Sequence, residues 1–186
     1  MAFQFKVQLE RITDPPVWRR VLVPEQFSFY RLHKVIQAAF GWENRHLFLF
    51  SPEGFGSQPI ITTAEGDWDG LEPQDCKKVR LNKIFTGSGQ TFTYTYDLGD
   101  DWVHALLLEQ ITEEKLVKAV CIGGEGACPP EDCGGFVGYA HLKMIFQDTA
   151  HPEYNEMAGW LGTARVRNWD PGHFSLDRAR YTVNRM

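Results

Sequence analysis

Strict alternation of apolar and polar residues at the start of the chain limits the accessible folds more than any other feature. Phe3, Phe5, Val7 and Leu9 fall on one face of an extended segment, and Gln4, Lys6, Gln8 and Glu10 on the other. One face is core and the other wet. Asp14-Pro15-Pro16 breaks this strand, and Val17 to Val23 reads as a second strand ending at Pro24, so a hairpin opens the chain. The alternation returns in Thr91 to Tyr96, a clear strand, followed by a returning strand over Trp102 to Glu109 and another over Leu116 to Ile122. His46 to Phe50 is apolar apart from His46, which suits a strand covered on both sides. Ser51 to Gly70 is rich in Gly, Pro, Asp and Thr and reads as an extended loop with a short strand at Ile60 and Ile61.

Helical spacing is confined to fewer places. Leu32, Val35, Ile36, Ala39 and Phe40 follow it, with Ser28 able to cap the start and Gly41 to end it. A short helix is expected at Arg80 to Phe85, and helices over Val137 to Phe146, over Pro152 to Leu161, and after Ser175 through Leu176, Ala179 and Val183. Strands come mostly first and helices last. That order predicts an α+β single-domain roll over residues 1–186, a mostly antiparallel sheet packed with an early helix and a C-terminal group of helices. A chain of 186 residues with a hydrophobic fraction of 43% can bury a core without disulfides.

The formal net charge of -5 argues against a surface that tracks nucleic acid throughout. Basic residues gather at the two ends, Arg11, Arg19, Arg20, Arg31, Lys34 and Arg45 near the first and Arg165, Arg167, Arg178, Arg180 and Arg185 near the second, with an acidic middle. The opening segment lacks the apolar run of a signal peptide, and no stretch approaches a membrane span. The expected location is cytoplasmic, with Cys76, Cys121, Cys128 and Cys133 as reduced thiols or metal ligands.

Two segments concentrate side chains capable of chemistry. In the hairpin Tyr96 to His104, pairing across the turn sets Tyr96 opposite Trp102, Tyr94 opposite His104 and Phe92 opposite Leu106, on one side of the sheet. His104 is then a metal ligand, a base in an aromatic lining, or a core histidine bonded to backbone or Tyr94. Asp97, Asp100 and Asp101 hold the hairpin tip through side-chain to amide bonds, with Gly99 supplying a positive φ, or converge on Mg²⁺ or Ca²⁺.

The second segment runs from Gly124 to Gly135, where Pro129 and Pro130 stiffen a loop carrying Cys128, Glu131, Asp132 and Cys133. Cys121, Cys128 and Cys133, with His104 as fourth ligand, are spaced for a tetrahedral zinc site or are small buried apolar residues. Glu131 and Asp132 cap the following helix or form an acid/base pair. Arg19 and Arg20 beside Trp18 clamp an anion or pair along a strand edge, and His33 and Gln37 on the outer face of the first helix carry no specific signal. Neither a Gly-Lys-Ser/Thr phosphate loop nor a Gly-x-Ser-x-Gly elbow occurs.

Several blocks together resemble one family. Val17-Trp18-Arg19-Arg20, Leu32-His33 through Gly41-Trp42, His46-Leu47, Tyr96 through His104, and Ala127 through Gly135 with Gly138-Tyr139 are similar to the signature blocks of proteins named after the third open reading frame of a root-inducing plasmid. Members of that family also occur as passengers of insertion elements. The resemblance implies a compact α+β roll and no particular activity, and Leu98 stands where relatives commonly carry Phe. The function expected first is a non-enzymatic binding or accessory module for a protein or small ligand. Its recognition cleft would lie between the 96–104 hairpin and the 121–135 loop, using Tyr96, Asp97, Asp100, Trp102, His104, Glu131 and Asp132. The alternatives are a metal-dependent hydrolase or nuclease built on Asp97, Asp100, His104 and Glu131 or Asp132, and a nucleic-acid-associated protein linked to mobile elements.

Overall fold

The structure, a computed structural model, describes residues 1–63, 68, 72–162 and 169–186. In chain order the elements are β1 (Ala2–Thr13), β2 (Pro16–Pro24), α1 (Phe29–Phe40), β3 (Phe48–Ser51), β4 (Ile61–Thr62), β5 (Gln74–Asp75), a 3-10 turn (Leu81–Lys83), β6 (Thr91–Tyr96), β7 (Trp102–Thr112), β8 (Val120–Glu125), α2 (Gly135–Gln147), α3 (Tyr154–Leu161) and α4 (Leu176–Val183). The strands form one sheet of order β5-β4-β3-β6-β7-β1-β2-β8. Among the described residues every pairing is antiparallel except that of β4 with β5. The predicted α+β roll is the observed architecture.

Alternation explains β1 as expected: Phe3, Phe5, Val7 and Leu9 are buried. Their side chains meet α1 and an aromatic cluster in which Phe5 and Phe85 lie 4.8 Å apart between ring centroids, and Phe29 and Phe50 5.0 Å. The ends of α1 also follow the sequence. Ser28 accepts from the Arg31 amide at 3.3 Å, and Gly41 closes the helix at φ 100°. One strand falls a few residues later than the alternation suggested, β8 beginning at Val120, where it pairs with β2 through a bulge at Arg20/Val21. The two-residue β5 is too short to carry a periodic signal in the sequence. Of the basic C-terminal residues, Arg165 and Arg167 lie outside the described residues, as does part of the expected 51–70 loop. Among the described residues, no helix is long and apolar enough to cross a membrane.

Register brings the chemically interesting segments together. Phe48 of β3 pairs with Tyr96 of β6, and Tyr96 with Trp102 of β7. The residues just before β3 therefore abut the β6–β7 turn, and the Asp97 amide donates to the Leu47 carbonyl at 2.9 Å. Tyr94 opposite His104 and Phe92 opposite Leu106 complete the predicted pairing.

Candidate functional site

Aspartates shape the hairpin tip. Asp97 and Asp101 adopt left-handed φ values of 54° and 52°, whereas Gly99 does not, so the positive φ expected of Gly99 is supplied by its acidic neighbours. Asp tolerates this region better than most residues because its short polar side chain bonds locally. Asp97 does so: Oδ1 accepts from the amides of Gly99 at 3.0 Å and Asp100 at 3.3 Å. Asp100 reaches outward instead, its Oδ2 accepting from the Gly134 amide at 3.1 Å.

This last bond ties the hairpin to the Cys/Pro loop at the start of α2. Gly134 is the N-cap of that helix and no side chain caps it, so the capping role expected of Glu131 and Asp132 is corrected. Gly135, at φ 66°, packs so closely that a Cβ would lie 2.6 Å from the Asp100 carbonyl oxygen. Gly135→Ala is accordingly expected to destabilise the protein by roughly 2 kcal/mol through left-handed strain and a backbone clash. Urea unfolding of the variant measures it, and an unchanged midpoint would show that hairpin and loop are not locked here.

Glu131 turns inward. Its Oε1 accepts from the Glu43 amide at 2.6 Å and from the Tyr96 hydroxyl at 3.0 Å, while that hydroxyl accepts from the Arg45 amide at 2.9 Å. Burial raises the Tyr96 pKa, which keeps the phenol a donor to Glu131. The hairpin and loop, expected to border one recognition cleft, are thus in direct contact through Tyr96 and Glu131 and through Asp100 and Gly134.

Behind the hairpin, Tyr94 organises a buried polar chain. Gln37 Nε2 donates to the Tyr94 hydroxyl at 2.9 Å, and that hydroxyl lies 2.8 Å from His33 Nδ1. The other ring nitrogen, Nε2, meets the Asn44 Oδ1 acceptor. An acceptor at Nε2 requires a proton there, so in the neutral ring Nδ1 receives the Tyr94 hydrogen. His33 and Gln37 are buried rather than on an outer face, and His33 stacks on Phe48 with centroids 3.6 Å apart. Burial pushes the His33 pKa down to about 3. Helical spacing alone could not show that a tyrosine hydroxyl stood opposite this polar pair.

His104 is a core histidine. Nδ1 donates to the carbonyls of Trp102 at 2.9 Å and Tyr94 at 3.2 Å, and burial lowers its pKa to about 4. Its Nε2 is buried without a hydrogen-bond partner among the described residues. The structure does not bring His104 together with Cys121, Cys128 and Cys133 as a ligand set: among the described residues, the His, Cys, Asp and Glu donors that converge within 4.8 Å are those of His46, Asp97 and Asp132. All four cysteines are free thiols. Burial raises the pKa of each, that of Cys76 to about 11 and that of Cys133 to about 12. Such thiols pack as small apolar groups and expose little nucleophilic thiolate.

The two arginines of β2 diverge. Arg20 makes a two-pronged bond to Glu109, at 2.6 and 2.9 Å. Arg19 is buried and donates to four backbone carbonyls. Neither guanidinium is positioned to clamp an external anion.

Across the loop from the hairpin lies a cleft of about 590 Å³, bounded by the end of α1, residues 127–131 and the C-terminal segment. Trp42, Trp169 and Phe174 line it, with Arg19, Glu43, Glu131, Asp170 and Arg178 as charged members. Of the residues expected to form the recognition cleft or a metal site, Glu131 and Cys128 line it; none of 96–104 does. Trp42 is 6% exposed, and its indole N–H has no hydrogen-bond partner among the described residues. The volume is in the range of small-molecule sites.

Residues 1–178 match the family described as plasmid pRiA4b ORF-3-like protein, and the chain belongs to that family. It is 36% identical over 169 residues to the uncharacterized protein y4hQ of Sinorhizobium fredii, covering 87% of this chain and 81% of the relative. The crystal structure of a protein of unknown function, MM3350 from Methanosarcina mazei Go1, superposes with a TM-score of 0.79 at 35% identity, covering 95% of this chain and 96% of the other. The shared fold is therefore established, and neither relative's description names an activity.

Proposed function

We propose that this member of the pRiA4b ORF-3-like family is a binding module that seats a small ligand, with an apolar body and a hydrogen-bond acceptor, in the cleft beside the Cys128 to Glu131 loop. The observation that carries this reading is the Trp42 indole N–H, buried and unpaired in a residue that lines the cleft. An unsatisfied buried donor costs on the order of 1–3 kcal/mol, and a ligand carbonyl or carboxylate that meets this N–H as the Trp42 ring shifts toward the cleft would offset that cost. Trp169 and Phe174 offer aromatic walls, and Arg178 stands exposed at the margin, where it favours an anionic group.

Two further observations support binding over the alternatives. The buried thiols are held protonated, and His33 and His104 are held neutral inside the core, which leaves them poorly placed as nucleophiles or general bases for an external substrate. Several arginines of the basic N-terminal stretch are engaged internally: Arg19 with carbonyls, Arg20 with Glu109, and Arg45 with Glu43 and Asp132. A phosphate-tracking surface relies on such groups being free.

A small-molecule library screened by thermal shift, with hits followed by calorimetry, tests the assignment. Hits are expected to bind Trp42→Phe about fivefold more weakly, because one hydrogen bond to the ligand is lost while an aromatic ring remains. Anionic hits should also weaken in Arg178→Ala. Ligands that bind both variants as tightly as the wild type would place the site elsewhere.

A further inference from the structure

We infer that His46, Asp97 and Asp132 form a binding site for a first-row divalent metal ion, at the junction of hairpin and loop. The inference goes beyond the cleft reading and does not rest on it. His46 Nε2 lies 2.9 Å from Asp132 Oδ1, 3.5 Å from Asp97 Oδ2 and 3.9 Å from Glu131 Oε2. Despite these neighbours the nitrogen is buried and makes no hydrogen bond, since the nearest oxygen is out of line with the ring N–H direction. One nitrogen surrounded by three carboxylates and bonded to none is poorly explained as a proton-sharing pair. It is the disposition expected of donors directed at a common centre.

The dimensions agree. The three donor atoms all lie within 4.8 Å of one another. Ligands about 2.1 Å from a shared Zn²⁺ or Mn²⁺ stand roughly 3.0–3.4 Å apart at octahedral or tetrahedral angles, so the two His46 contacts at 2.9 and 3.5 Å already fit and the two carboxylates close the remaining gap by side-chain rotation. Each donor is held from a different segment. Asp97 is 7% exposed and fixed by two amides through Oδ1, which leaves Oδ2 toward His46. His46 packs edge-on against the Tyr96 ring, with centroids 5.9 Å apart. Asp132 comes from the Cys/Pro loop with its side chain 54% exposed, and gives the site an open side toward solvent. Glu131, held by Tyr96 and the Glu43 amide, stands by as a nearby carboxylate.

Donor chemistry sets the class of ion. One imidazole nitrogen and two or three carboxylate oxygens suit Mn²⁺, Fe²⁺ or Zn²⁺, whereas Ca²⁺ prefers an all-oxygen shell and a thiolate zinc site would need the cysteines that lie outside this group. Charge points the same way. Asp97, Glu131 and Asp132 crowd one place with Arg45 as the neighbouring cation, 4.0 Å from Asp132, and a dication offsets the remaining repulsion.

Titration of the EDTA-stripped full chain with MnCl₂, followed by the electron paramagnetic resonance of free Mn²⁺, tests the site, with ZnCl₂ titrated separately by calorimetry. One ion per chain is expected, with affinity reduced about tenfold or more in His46→Ala and in Asp132→Asn. These two side chains are the more exposed donors, and unfolding midpoints of the metal-free variants verify that both remain folded. A wild-type chain that takes up neither ion at one equivalent overturns the inference, leaving a histidine and carboxylate ion cluster only. So does a His46→Ala chain that binds as the wild type does. Neither readout depends on an organic ligand in the cleft, so failure here and failure of the cleft assignment are distinguishable.

Discussion

Replacing Arg19 with alanine is expected to destabilise the protein by roughly 4 kcal/mol or more, a large part of the stability of a typical domain. Arg19 is 2% exposed. Its Nε donates to the Ala39 carbonyl at 2.9 Å, Nη1 to those of Trp18 at 2.8 Å and Glu125 at 2.7 Å, and Nη2 to that of Gly126 at 2.9 Å. The guanidinium also faces the Phe40 and Phe174 rings, 4.9 and 4.2 Å from their centroids. Desolvation lowers its pKa, the cost of burying a cation with carbonyl dipoles rather than a carboxylate as partners.

Those partners come from the end of α1, from β2 and from the chain leaving β8. Arg19 therefore fastens the end of α1 to the paired ends of β2 and β8, where Trp18 lies opposite Glu125. Alanine would leave buried carbonyls unsatisfied and a cavity between two aromatic rings. Each charge-assisted bond contributes about 1.5–3 kcal/mol, so even partial rescue by water leaves a large deficit. Arg19→Lys keeps the charge but loses the planar fork and should fall between the two. Urea unfolding of the three proteins provides the comparison, and an alanine variant within 1 kcal/mol of wild type, taken as about one ordinary hydrogen bond, would refute this role.

Mild acid is expected to be the second large destabiliser, acting above the range in which carboxylates protonate. In the unfolded chain the imidazoles of His33 and His104 take up a proton near pH 6.5, whereas burial delays this in the fold to about pH 3 and about pH 4. Between those limits the unfolded state binds more protons, so stability must fall as pH falls. The contribution is complete above about pH 6.5 and is lost progressively toward the folded-state values, on the order of 3–5 kcal/mol for each ring.

Glu109 has the opposite character. Hydrogen bonding from Arg20 lowers its pKa, so its contribution is present above its ordinary value of 4.5 and disappears only below it. The urea midpoint should already decline between pH 7 and pH 5, before Glu109 titrates. A midpoint constant over that interval would mean that the two rings are accessible to protons in the folded state.

Short-range features of this fold were legible in the sequence, and features set across the core were not. The Ser28 cap, the Gly41 stop and the β6–β7 register depend on residues a few positions apart. Arg19 was legible in part, since it lies in phase with Val17, Val21 and Val23 on the buried face of β2, yet nothing local shows that four carbonyls await it. His33 and Gln37 share one helical stripe whose partner, Tyr94, is about sixty residues away in the chain. His46 stands out in the sequence only as the one polar residue in an apolar run. Its significance came from the pairing of β3 with β6, which sets it against Asp97. The cleft depends on the C-terminal segment returning to the end of α1, a contact that no periodicity encodes.

The cleft beside Trp42 carries the proposed binding function. Nitrogen-15 correlation spectra of the full chain, recorded while a fragment mixture is added, test it directly. The prediction is that bound fragments shift the indole N–H signals of Trp42 and Trp169 first, with the Trp42 resonance moving as an acceptor reaches it. Fragments that leave both indole signals unmoved while perturbing another surface would contradict the assignment.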